Sequence, residues 1–153
     1  MDLILWRHAE AHPVRDGQTD LERPLTAKGE RQAKRMAEWL NQRLADSTRI
    51  LVSPALRTQQ TARALDRHFK TVQALAPDGS GHALLEATRW PEAGEPVLVV
   101  GHQPTLGLVV AHLLADAAQA WAIKKGAVWW LRHRDREGGA EVVLQAVQSP
   151  DLL

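Results

Sequence analysis

The chain of 153 residues contains no cysteine. That absence excludes disulfides, thiolate metal sites and a cysteine nucleophile, and it agrees with a reducing compartment. Charge of one sign is not in surplus either: 19 Lys and Arg stand against 18 Asp and Glu, a net charge of +1. Such a balance gives no general attraction to nucleic acid or to an anionic membrane, so affinity for anions must come from the placement of individual Arg and His residues. No apolar run approaches the ~20 residues of a membrane span. Met1 to Trp6 lacks the basic start and long apolar stretch of a secretory signal. These absences lead to the expectation of a cytoplasmic protein with neither nucleic acid nor membrane as partner.

What is present is an ordinary globular composition, 44% apolar and 24% charged. A chain of this length buries ~70% of its unfolded surface, enough for one core, and one domain over residues 1–153 is expected. Asp2–Trp6 is a short run of large apolar residues that reads as a buried strand. A polar loop with Pro13, Gly17 and Pro24 follows. Thr26 caps a helix whose apolar positions, Ala33, Met36, Ala37, Leu40 and Leu44, keep helical spacing to about Asp46. Arg49–Val52 is a second strand, and Ser53-Pro54 reads as N-cap and first position of a helix reaching about Phe69. A short strand and loop occupy Thr71–Gly81, then a helix covers Ala83–Ala87, with an extension toward Trp90. Val97–Val100 is the clearest buried strand, and Thr105–Leu114 the next helix. A hairpin of Ala127–His133 and Ala140–Val147 turns over Asp135–Gly139. The alternation predicts a three-layer α/β/α sandwich with a mostly parallel mixed sheet and a C-terminal antiparallel hairpin.

Three of these strands end in polar residues: Arg7-His8 after the first, Ser53-Pro54-x-x-Arg57 after the second, and Gly101-His102 after the third. In open α/β sheets ligands bind beyond the carboxyl ends of the strands, so parallel neighbours would bring two His and two Arg together. Two of the strands also feed helix N-termini, whose free N–H groups favour an anion. Arg57, in the first turns of its helix, can lean toward that end and offer a planar fork. Such a collection suits a phosphoryl group, and a neutral imidazole there can form a covalent phosphoryl intermediate. It needs its other ring nitrogen to donate to an acceptor such as a backbone carbonyl. The catalytic candidates are therefore His8, Arg7, Arg57 and His102, with no metal and no cofactor required.

The stretches LILWRHAEA, SPALRTQQTA and VLVVGHQPT, with RPLTAKGERQA between the first two, resemble the motifs of the histidine phosphatase superfamily. Their order and the short chain are most similar to the SixA-type phosphohistidine phosphatases, over Leu3 to about Leu114. The resemblance implies that His8 is the phosphorylated residue, and that Arg7, Arg57 and His102 line the phosphate pocket, with Arg23 extending its basic rim. Many members carry Gly after the nucleophile where this chain has Ala9, which implies a backbone conformation open to alanine.

Other residues have plainer readings. Glu10 reads as an exposed loop acid, and His12, His68, His82, His112 and His133 as surface or packing residues. The order His8-x-Glu10-x-His12 departs from the zincin pattern, and Pro13 opposes the helix that pattern needs. Trp129-Trp130, flanked by cations, resembles a nucleic-acid platform, but alternating strand faces should bury one Trp and expose the other.

A phosphomonoesterase gains from a general acid at the leaving oxygen. Relatives acting on sugar phosphates place a carboxylate after the second motif, where this chain offers only Asp78, Glu86 and Glu92, with Glu86 as the possible acid. A missing acid favours a substrate with a good leaving group, and phosphohistidine on a protein, such as a phosphotransfer domain in signalling, fits. The alternatives are a phosphatase of small esters or anhydrides with the same chemistry, and a catalytically silent phosphate-binding scaffold.

Overall fold

The computed structural model describes residues 1–153. Six strands form one sheet: β1 (Asp2–Arg7), β2 (Arg49–Val52), β3 (Lys70–Thr71), β4 (Val97–Gly101), β5 (Val128–Arg136) and β6 (Gly139–Gln148). Their spatial order is β3-β2-β4-β1-β5-β6, and the first four of these are parallel while β5 and β6 run antiparallel. Four α-helices connect them: α1 (Ala27–Asn41), α2 (Leu56–Arg63), α3 (Gly81–Thr88) and α4 (Thr105–Ala115).

Continuous apolar runs place residues on both faces of the central strands, as a sheet covered on both sides requires. Ile4, Trp6, Leu98 and Val100 pack with Met36, Ala37, Leu40 of α1 and Ala62 of α2. On the other face Leu3, Leu5, Val97 and Val99 pack with Leu84 of α3 and Leu106, Val109 and Val110 of α4. The expected three-layer α/β/α sandwich with its C-terminal hairpin is the observed architecture. No helix is long and apolar enough to cross a membrane.

Several boundaries differ from expectation. α1 stops at Asn41 rather than near Asp46, and Leu44 continues the apolar spacing from a turn, its N–H bonding the Leu40 carbonyl at 2.7 Å. The second helix is shorter at both ends. Ser53 is not its N-cap: the helix starts at Leu56 after Ala55, and Ser53 Oγ instead accepts from the Ala55 N–H at 3.2 Å. A serine bonding the amide two residues on forms a local turn that competes with helix. At the far end Asp66 adopts φ 53°, which turns the chain toward β3 long before Phe69.

α3 starts at Gly81 rather than Ala83, and Ser80 caps it by accepting from the Ala83 N–H at 3.0 Å. The hairpin is longer than expected and leaves only Glu137 and Gly138 in the turn. Arg134 faces Glu141 across the ladder and bonds it at 3.0 Å, so charged residues that read as a loop carry the strands outward. Trp129 and Trp130 do point to opposite faces, but neither is left exposed. Trp39 of α1 meets Trp130 edge-on at 6.2 Å, and Trp121 covers Trp129 at 6.4 Å. Both faces of β5 are covered at this point, by Trp39 on one side and Trp121 on the other.

Candidate active site

Strand register brings the polar ends together. Arg7 pairs with Gly101 and Val52 with Val100, so His8, Ser53 and His102 each follow a strand that ends at nearly the same level. The His8 N–H then bonds the Gly101 carbonyl at 3.2 Å, and the Ser53 N–H bonds the Val100 carbonyl at 3.1 Å. Adjacent parallel strands lie about 4.8 Å apart, which fixes the spacing of the side chains that follow. The rings of His8 and His102 are accordingly 5.3 Å apart and tilted by 54°.

His8 Nδ1 lies 2.7 Å from the carbonyl oxygen of Ala9. A carbonyl only accepts, so Nδ1 carries the proton and Nε2 keeps its lone pair. Ala9 is buried, its N–H bonds Thr61 Oγ1 of α2 at 3.1 Å, and it does not adopt a left-handed conformation. Alanine therefore fits where many relatives have glycine. Burial first, and then the positive charges of Arg57, Arg7 and Arg23, push the His8 imidazolium down to about 4 against the opposing Ala9 carbonyl. His102 is pushed down to about 3 by burial and by Arg57, and its Nε2 lies 2.7 Å from Ser53 Oγ. Both rings are neutral at neutral pH.

Arg7 extends from the last position of β1, with one terminal nitrogen on the Ile123 carbonyl at 2.7 Å. Burial and the Arg57 charge lower its pKa, as expected of two guanidinium groups held near each other. Arg57 is the second residue of α2, and its side chain is only 5% exposed. Its terminal nitrogens bond the backbone carbonyl of Asp20 at 2.8 Å and the Asp20 carboxylate at 3.0 Å. Arg23 bonds the same carboxylate at 3.1 Å and the His12 carbonyl at 2.7 Å. Arg7, His8, Arg57 and His102 are thus brought together, with Arg23 at the rim.

Asp20 and Ser53 are the site residues that sequence reasoning missed. The Asp20-x-x-Arg23 spacing ahead of the Pro-Leu-Thr segment was the available signal for the first. Ser53 was visible only as a helix start. Glu86 is not brought to the site: it lies on the outer face of α3, 74% exposed, with His82 at 3.6 Å as partner. Glu10 ties the loop to the start of α1, its carboxylate accepting from Thr26 Oγ1 at 2.7 Å. No three His, Asp or Glu side chains converge in a way that could hold a metal ion.

The sequence profile of the histidine phosphatase superfamily (branch 1) matches residues 3–78. Fold, site and match together define a phosphatase, a hydrolase of the histidine-phosphatase type. Phosphohistidine phosphatase SixA of Escherichia coli is 34% identical over 122 residues, 74% of each chain. An uncharacterised protein of Picosynechococcus is 43% identical over 153 aligned positions, 90% of this chain and 93% of that one. A solved structure of the protein histidine phosphatase SixA with tungstate superposes with a TM-score of 0.81 at 26% identity, covering 99% of both chains. The chain belongs to the histidine phosphatase superfamily, within its SixA-type branch.

Proposed function

We propose that the protein hydrolyses phosphohistidine on a partner protein through a phosphoryl intermediate on His8 Nε2. The observation that carries the reading is the 2.7 Å bond from His8 Nδ1 to the Ala9 carbonyl, which leaves Nε2 unprotonated among three guanidinium groups. In the first step the Nε2 lone pair attacks phosphorus and the P–N bond of the substrate breaks. Arg7, Arg57 and an N–H of His102 receive the charge that builds on the equatorial oxygens. In the second step water attacks phosphorus, His8 leaves with its electron pair, and inorganic phosphate is released. Tungstate, the tetrahedral oxyanion held by the SixA relative, has the shape and charge this pocket is read to accept.

The substrate assignment rests on the leaving group. The carboxylate bonded to the pocket arginines is Asp20, and its pKa is held below the ordinary value by Arg23 and Arg57, in spite of burial. It is a poor proton donor at neutral pH. An alkoxide leaving group needs such a donor, whereas an imidazole whose second nitrogen already carries a proton departs neutral without one. The SixA relatives, phosphohistidine phosphatases of Escherichia coli and Haemophilus influenzae, point the same way. A cytoplasmic role in phosphotransfer signalling by a single catalytic domain over residues 1–153 follows from this reading.

Turnover of a histidine-phosphorylated protein, compared with a panel of small phosphate esters and anhydrides, tests the assignment. We expect preference for the phosphohistidine substrate. Strong preference for the small esters overturns it.

A further inference from the structure

Behind the loop that carries His8, a cleft of about 460 Å³ is lined by polar and charged residues and Pro150. Lys28, Arg31 and Arg35 enter it from one face of α1, at the i, i+3 and i+7 spacing that aligns helical side chains. Lys124 and Lys125 face them from the segment before β5. One carboxylate, Asp151, answers these five cations, bonding Lys124 at 3.4 Å. Lys28, Arg31, Arg35 and Lys125 have no acidic partner within the chain. In a chain whose net charge is only +1, positive charge has been gathered at one place.

The cleft is coupled to the catalytic loop by short covalent and hydrogen-bonded links. Gly126, the residue after Lys125, donates its N–H to the His8 carbonyl at 2.9 Å. Gln32, between Arg31 and Arg35 in the sequence and also in the cleft, accepts from the Glu10 N–H at 3.0 Å. The cations therefore flank the phosphoryl pocket without taking part in it.

We infer that this basic cleft docks an acidic segment of the phosphoprotein substrate next to its phosphohistidine. The inference rests on the proposed reading of the active site and adds the recognition element to it. A surface dominated by the charged ends of exposed Lys and Arg acts through electrostatic attraction, which is screened beyond a Debye length of about 8 Å at physiological salt. Its contribution is to association with a partner of opposite charge more than to the tightness of a dry interface. An acidic protein segment meets that requirement, and its proximity to His8 makes docking and turnover one event.

Two synthetic peptides test the assignment, each carrying one phosphohistidine, with Glu residues flanking it in one and Gln residues in the other. At low salt the wild-type protein is expected to favour the Glu-flanked peptide at least tenfold in kcat/KM, through KM. The preference should collapse in high salt. It should also vanish in K28E/R31E/K125E and shrink in K28Q/R31Q/K125Q, with turnover of the Gln-flanked peptide unchanged in both. These residues are exposed, and the salt dependence of the wild-type protein gives the same readout with no substitution at all.

Equal turnover of the two peptides, or a preference that survives charge reversal, overturns the docking inference while leaving the phosphohistidine reading intact. Failure to hydrolyse either peptide, with small esters turned over, overturns the phosphohistidine reading and the docking inference with it. Retention of polyphosphate or single-stranded nucleic acid by the cleft, without any preference for the Glu-flanked peptide, also overturns it.

Discussion

Both terminal nitrogens of Arg57 are held by Asp20, one by its backbone carbonyl at 2.8 Å and one by its carboxylate at 3.0 Å. The arginine is nearly buried while the aspartate is half exposed. Asp20 thus keeps a buried guanidinium satisfied and aimed, and its negative charge opposes an incoming anion at the same place. Removing the charge while keeping the shape should favour the anion. Asp20→Asn is expected to bind inorganic phosphate or tungstate about three- to tenfold more tightly, the scale of one partly screened ion pair. Inhibition constants measured against a chromogenic phosphate check this, and weaker binding would contradict it.

Arg57 itself should matter far more. Truncation to alanine removes a planar fork from the developing charge and leaves the Asp20 carboxylate with Arg23 as its remaining partner. The expected loss in kcat/KM is about 10²–10³-fold, as for the removal of one key oxyanion donor. Steady-state kinetics on phosphohistidine substrate decide it, and a rate within threefold of wild type would contradict the assigned role.

The two histidines give a pH signature. Their folded pKa values, about 4 for His8 and about 3 for His102, lie below the ordinary 6.5. The unfolded chain therefore binds more protons than the folded one between those values and 6.5, and stability rises with pH through that window. The stabilising contribution is complete above about pH 6.5, and it is lost as pH falls through the folded pKa values. NMR titration of the two rings should show about a tenth of His8, and less of His102, protonated at pH 5 in the free protein. Bound tungstate, being negative, should raise both values.

A structural prediction concerns the wall behind the nucleophile. A side chain at Gly29 in α1 would place its Cβ 2.0 Å from the backbone oxygen of Glu10. Because the obstacle is main chain, either the helix or the loop after His8 has to move. Gly29→Ala is expected to cost about 2–3 kcal/mol in denaturant unfolding, the scale of overpacking, and to lower kcat by disturbing the His8 loop. Unchanged stability and kcat would show that the close approach carries no constraint.

The strand ends were legible in the sequence because Leu3–Trp6, Ile50–Val52 and Val97–Val100 are short apolar runs that stop at polar residues. A parallel neighbour relation then sufficed to place His8 beside His102. The acceptor for His8 Nδ1 was foreseen as a type of group, and its identity, the Ala9 carbonyl, required the fold. Ser53 was misread because a serine before proline is a good helix start in isolation, while its hydroxyl here is used by the Ala55 N–H and His102. Asp20 lies 37 residues from Arg57 in sequence, and no local periodicity records such a contact. Glu86 was named on position along the chain alone, and helix α3 turns it to solvent.

The central claim is that His8 becomes phosphorylated. The protein should be mixed with phosphohistidine substrate, quenched within milliseconds in alkali, and digested for mass spectrometry. The account predicts one phosphoryl group on the peptide containing His8, stable to alkali and lost in acid, with neither label nor turnover in His8→Ala. Turnover retained by His8→Ala, or the phosphoryl group found on another residue such as His102, would contradict it.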